Sequence, residues 1–118
     1  MDIQAATAIL AALAQSTRLE AFRLLVKHEP AGLPAGEVAR LLEVPQNTSS
    51  THLAILVNAG LADSQRDGRS IIYRANLDQF RLLTVFLLKD CCSGRTEVCA
   101  PLMAELASCC AAPPAASA

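Results

Sequence analysis

Apolar positions recur at helical spacing through the first half of the chain. Ile9, Leu10 and Leu13 fit one face of a first helix. Thr17 and Glu20 stand at capping-box spacing and open a second, whose buried side carries Leu19, Phe22, Leu25 and Val26. Glu29-Pro30-Ala31-Gly32 stops it. Pro34 suits the first turn of a short third helix with Val38, Leu41 and Leu42 inward. After the tight connection Glu43-Val44-Pro45, a fourth helix runs from about Gln46 to Asn58 on a stripe of Leu53, Leu56 and Val57, and Gly60 ends it.

Beyond Gly60 the period shortens. Leu61 to Arg66 and Ser70 to Ala75 read as two strands joined by a turn at Asp67-Gly68. Helical spacing returns from Leu77 to Lys89, starting near Asn76. There Leu77, Phe80, Leu83, Leu87 and Leu88 form one stripe, and Leu82, Val85 and Phe86 fill much of the remaining circumference. A helix apolar nearly all round needs cover on more than one side, and a second copy of the same helix is the cover expected. The order predicts a mainly α, winged helix–turn–helix homodimer of about five helices and one β-hairpin. One domain is expected over residues 1–110, with a disordered tail over 111–118 that carries Pro113-Pro114.

Composition agrees with a helical core and limits the partners. Of 118 residues, 53% are hydrophobic and only 3% aromatic, so the core must be built of Leu, Val, Ile and Ala. The formal net charge is −1, so any basic surface for nucleic acid must be local. The apolar run Ile3 to Leu13 lacks the positive flank of a signal peptide, and no run has bilayer length. A soluble, cytoplasmic protein with no membrane partner is expected.

A short helix, a tight turn and a polar-fronted second helix make a helix–turn–helix, whose second helix enters the major groove by its N-terminal end. That end carries Gln46, Asn47, Thr48, Ser49, Ser50, Thr51 and His52, short donors and acceptors suited to base edges and phosphates. Capping alone would need one or two such residues, and the rest cost helix propensity. Gln46, Asn47, Thr48, Ser49, Ser50 and His52 are therefore the expected DNA contacts, with Arg66 and Arg69 at the hairpin tip as wing cations. Ordinary solvated charge is the alternative for the wing, where Asp63 and Asp67 dilute the basic character.

Several segments together resemble the ArsR family of metalloid-sensing repressors: Ala11 to Leu19, Glu37 to Leu42, Gln46 to Leu53, Ala59-Gly60-Leu61 and Gly68 to Arg74. The resemblance covers about residues 8–76. It implies a homodimeric winged-helix repressor, paired through its first and last helices, that leaves double-stranded operator DNA when inducer binds. The chain departs from the family in two places. Thr51 stands where many members have a basic residue, and Ala35-Gly36-Glu37-Val38 lacks the Cys-x-Cys pair of the well-known sensing site. Nor does Leu77 to Asp90 carry the His and Asp combination that some members use for zinc.

The sensing chemistry therefore falls to the last third, which holds all five cysteines: Cys91, Cys92, Cys99, Cys109 and Cys110. An odd number of clustered thiols in a reducing compartment points to ligands or redox sensors rather than a disulfide framework. Cys91 and Cys92 are adjacent, Gly94 allows the chain to turn back toward Cys99, and Lys89 and Arg95 favour thiolate. Three thiolates without a histidine suit a soft, thiophilic ion, and zinc prefers a fourth ligand. As(III) takes three sulfurs in a pyramid, so Cys91, Cys92 and Cys99 are the expected As(III) site, with Sb(III) equivalent. A C-terminal cysteine cluster also resembles one arsenic-responsive branch of the family. Core filling is the alternative for isolated cysteines, and Cys109-Cys110 is read as accessory. No catalytic constellation or phosphate loop is legible, so the chain is read as a regulator and not an enzyme. A redox-sensing repressor using the same thiols stays open, as, more distantly, does a thiol-rich metal carrier or thiol oxidoreductase.

Overall fold

The computed structural model describes residues 1–89 and 96–110. The chain divides into two compact units, Met1–Phe86 and Leu87–Ala118. The first holds helices α1 (Ile3–Leu13), α2 (Ser16–Lys27), α3 (Ala35–Leu42) and α4 (Gln46–Asn58). It also holds strands β1 (Leu33–Pro34), β2 (Ala62–Asp67) and β3 (Ser70–Ala75), and most of α5 (Leu77–Leu88). The second contains the end of α5 and α6 (Thr96–Cys110), a helix with Pro101 in its interior. The architecture is the expected one: mainly helical, with a small antiparallel sheet forming a wing after a helix–turn–helix.

Helix starts follow local chemistry, with one correction. Asp2 caps α1 by accepting from the Ala5 N–H at 2.8 Å, and Asn76 caps α5 by accepting from the Gln79 N–H at 3.1 Å. The Thr17–Glu20 capping box is not used. The helix begins one residue before it, where the Gln15 side chain accepts from the Arg18 N–H at 2.8 Å. Glutamine is not a common N-cap, so its long side chain gave no signal.

The core is built from fewer of the large apolar residues than their spacing suggested. On α1 the buried stripe is Ala6, Ile9 and Ala12, with Leu10 exposed; on α2 it is Ala21, Phe22 and Leu25, with Leu19 and Val26 exposed. The small alanines thus take inward positions beside Ile9, Phe22 and Leu25. Leu41 of α3 is likewise exposed, and Val38 and Ala39 take the inside. Leu53 and Leu56 anchor α4 at the centre, each fully buried and each contributing about 1.5–3 kcal/mol. That anchorage offsets the poor helix propensity of the polar front of α4.

The sheet contains one strand more than expected. Leu33 and Pro34 pair with Tyr73 and Ile72, giving the order β1-β3-β2, all antiparallel. Two residues are too few for a period to show. The hairpin register pairs Asp67 with Ser70, so the turn residues are Gly68 and Arg69, one position later than expected. Gly68 has φ +64°, the glycine-first pattern of a II′ turn.

Gly32, just ahead of β1, is the most constrained glycine. Its φ is +78°, and a Cβ there would lie 2.6 Å from the Tyr73 carbonyl oxygen and 2.5 Å from Arg74 Cγ. The carbonyl belongs to the ladder and cannot yield cheaply. Gly32→Ala is expected to destabilise the fold by about 1–3 kcal/mol, read as a lower denaturation midpoint at unchanged slope.

The last third adds a helix that the spacing did not single out. The segment from Thr96 to Cys110 was not expected to be helical, and Cys99 lies in the first turn of that helix. The expected tail, 111–118, lies outside the described residues, as do Cys91 and Cys92.

Candidate nucleic-acid interface

The turn between α3 and α4 is closed by a residue without glycine's freedom. Glu43 adopts φ +56°, its N–H bonds to the Arg40 carbonyl at 3.2 Å, and the Val44 N–H reaches the Ala39 carbonyl at 3.2 Å. Pro45 then stands at the N-cap of α4 with no side-chain cap. Of the first N–H groups of α4, at the positive end of its dipole, that of Thr48 donates to the Asn47 side-chain oxygen at 2.9 Å, while none is capped from Pro45. Such an end is suited to a phosphate.

The front of α4 presents Gln46, Asn47, Ser50 and Thr51 as exposed side chains, with Thr48 and His52 half-buried. Ser49 is a correction. It is 1% exposed, so its side chain faces the core and not a DNA surface. It lies one turn ahead of the buried Leu53 and shares its inward face. Its Oγ has no hydrogen-bond partner among the described residues. Ser49→Ala removes an unsatisfied buried hydroxyl, so it is expected to leave DNA binding unchanged and to raise stability by about 1 kcal/mol. Thermal melting and operator titration of the same preparation check both.

Tertiary structure brings the wing to this helix. Gln46 and Ser50 of α4, Arg69 and Ser70 of the hairpin, and Gly36 and Tyr73 line one open cleft of about 420 Å³. Arg66, on β2 opposite Ile71, is exposed but does not line the cleft. Neither Arg66 nor Arg69 forms an ion pair among the described residues, whereas Arg40 is paired with Glu37 and Arg74 lies 3.8 Å from Glu29. The Arg40 hydrogen bond holds the Glu37 carboxyl below its ordinary range, which keeps that exposed pair charged on α3. Arg66 and Arg69 are therefore exposed cations of the wing, beside the equally exposed Asp63 and Asp67.

One residue that spacing could not single out enters the site. Arg18, on α2, places Nη1 3.3 Å from His52 Nδ1 and donates from Nε to the Ala12 carbonyl at 2.6 Å. The contact spans 34 positions of sequence, beyond the reach of any local pattern.

The cysteines are placed only in part. Cys99 is half-buried and disulfide-bonded. Among the described residues, no three His, Cys, Asp or Glu side chains come together as a metal site. Nor is any described helix long and apolar enough to cross a membrane.

A helix–turn–helix with a polar-fronted second helix and an adjoining hairpin wing defines a winged-helix DNA-binding protein. Comparison with known proteins agrees. Residues 13–65 match a helix-turn-helix domain family. The chain is 37% identical over 68 residues to the HTH-type transcriptional regulator YgaV of Escherichia coli, covering 58% of this chain and 67% of that protein. It is similar to an ArsR-like transcriptional regulator of Rhodococcus sp. RHA1 (TM-score 0.64, 27% identity, 89% of each chain). It is also similar to a homodimeric winged helix-turn-helix DNA-binding domain of Mycobacterium bovis (TM-score 0.60, 26% identity, 73% of this chain and 78% of that one). The chain belongs to the ArsR-type helix-turn-helix transcriptional regulators.

Proposed function

We propose that this regulator is a cytoplasmic, arsenite-responsive repressor. It holds its operator as a homodimer and lets go when As(III), or Sb(III), is bound by Cys91, Cys92 and Cys99. The observation that carries the DNA half of this reading is the cleft shared by Gln46, Ser50 and Arg69, where base edges and backbone can be met together. The dimer is supported by α5, whose Leu77, Phe80, Leu82, Val85 and Leu87 are all exposed in the single chain, and by the homodimeric relative.

The inducer half rests on donor chemistry. Neutral arsenous acid condenses with three thiols, forming three As–S bonds and releasing three waters. Each sulfur that starts as thiolate takes up one proton in the step, so the protein's charge stays the same or becomes less negative. Repulsion of DNA is then a poor switch, and geometry is the better lever. Two recognition helices of a dimer must lie about 34–36 Å apart to engage successive half-sites. Tying Cys99 to Cys91 and Cys92, just past the end of α5, acts on the helix that sets that distance.

The disulfide at Cys99 favours a second reading, in which an oxidant such as peroxide joins two of these thiols and is reduced to water. Fluorescence anisotropy on the protein's own promoter DNA separates the two. Reduced protein is titrated with arsenite, antimonite, a methylated arsenical, zinc, cadmium or peroxide. Release by arsenite in the presence of reductant supports the first reading. Release by peroxide alone replaces it with the second, and failure to bind the DNA at all removes both.

A further inference from the structure

We infer that Arg18 is a positioning residue for DNA recognition: its guanidinium fixes the tautomer of His52, so that α4 presents a ring N–H outward. This rests on the DNA-binding reading of α4. An arginine side chain carries only donors. With Nη1 3.3 Å from His52 Nδ1, that ring nitrogen has to accept, and the imidazole proton is then on Nε2. His52 thereby becomes a directed donor at the half-buried edge of the recognition helix, matched to guanine N7 or O6, adenine N7 or a phosphate oxygen.

Arg18 is itself held for this task. Its backbone N–H is fixed by the Gln15 side chain at 2.8 Å, and its Nε donates to the Ala12 carbonyl in the last turn of α1 at 2.6 Å. That carbonyl belongs to the negative end of the α1 dipole, which suits a cation with no carboxylate partner among the described residues. One planar fork therefore spans α1, α2 and α4. A lysine offers no such geometry.

The test uses the full chain. In DNA-free protein, two-bond ¹H–¹⁵N spectra of the histidine rings at a pH where His52 is neutral are expected to show a single Nε2–H tautomer. In Arg18→Gln the ring is expected to average between tautomers. Operator affinity is expected to fall about five- to tenfold in Arg18→Gln but by less than about twofold when the same change is made in a His52→Ala background. Arg18→Lys, which keeps the charge without the fork, is expected to act in the same direction and serves if Arg18→Gln does not fold. An unchanged ring spectrum in these variants, an Nδ1–H tautomer in the unaltered protein, or equal losses in both backgrounds would overturn the proposal. If the unaltered chain binds no operator, the DNA-binding reading fails, while the ring spectra still decide the tautomer.

Discussion

Leu82→Glu combined with Val85→Glu is expected to leave a folded monomer that binds operator about 100-fold more weakly than the unaltered protein. Both residues lie on one face of α5 and are 42% and 53% exposed in the single chain, so neither holds the core together. Leu83, which does, points the other way and is buried with Phe22 in the same apolar cluster. Phe80 docks α5 on α2 through its ring, 5.4 Å from that of Phe22. The two substitutions thus remove apolar area only from the surface assigned to a second copy, and each carboxylate would be desolvated there. A homodimer reads two half-sites with linked recognition helices, and loss of the link removes the avidity term. Sedimentation equilibrium and anisotropy titration measure the two effects, and an unchanged dimer would place the interface elsewhere.

The second large effect is expected at the cysteines. Cys91→Ser, Cys92→Ser and Cys99→Ser should each retain operator binding. Each should lose arsenite release, collapsing a coupling of roughly 5- to 150-fold to none. The logic is stoichiometric: a trigonal sulfur site with one ligand replaced by a hydroxyl no longer holds a thiophilic ion firmly. Cys109→Ser and Cys110→Ser are expected to retain release. Arsenite that still dissociates all three variants from DNA would show that the sensing site lies elsewhere. Done with reductant throughout, the experiment also separates ligand capture from thiol oxidation.

Much of the candidate DNA surface was legible because its signals are local. Leu53 and Leu56 repeat at helical spacing behind a run of short polar residues, and Gly60 with φ +82° marks the helix end. The same holds for Gly68 in the hairpin and Asn76 before α5. Ser49 defeated the reading because residue type says nothing about which way a helix turns its side chains once packed. Arg18 escaped it because a contact across 34 positions leaves no trace in spacing. Helix α6 escaped it too, since Pro101 and the cysteines do not resemble a helical stripe.

What the chain determined by itself is therefore the order of its elements and the chemistry available to them: α3, turn, polar-fronted α4, hairpin, apolar α5, then thiols. These follow from period, capping and turn residues, which act over a few positions. Only tertiary packing decided which polar residues remain outside. It buried Ser49, brought Arg69 to Gln46 and Ser50, and set Arg18 against His52. It also left Ala6, Ala12 and Ala21 inside, with Leu10, Leu19 and Val26 exposed. The physical reason is that the apolar stripe of a helix fixes its buried face only approximately. The exact edge of that face, and contacts between residues far apart in sequence, are set by the neighbours it packs against.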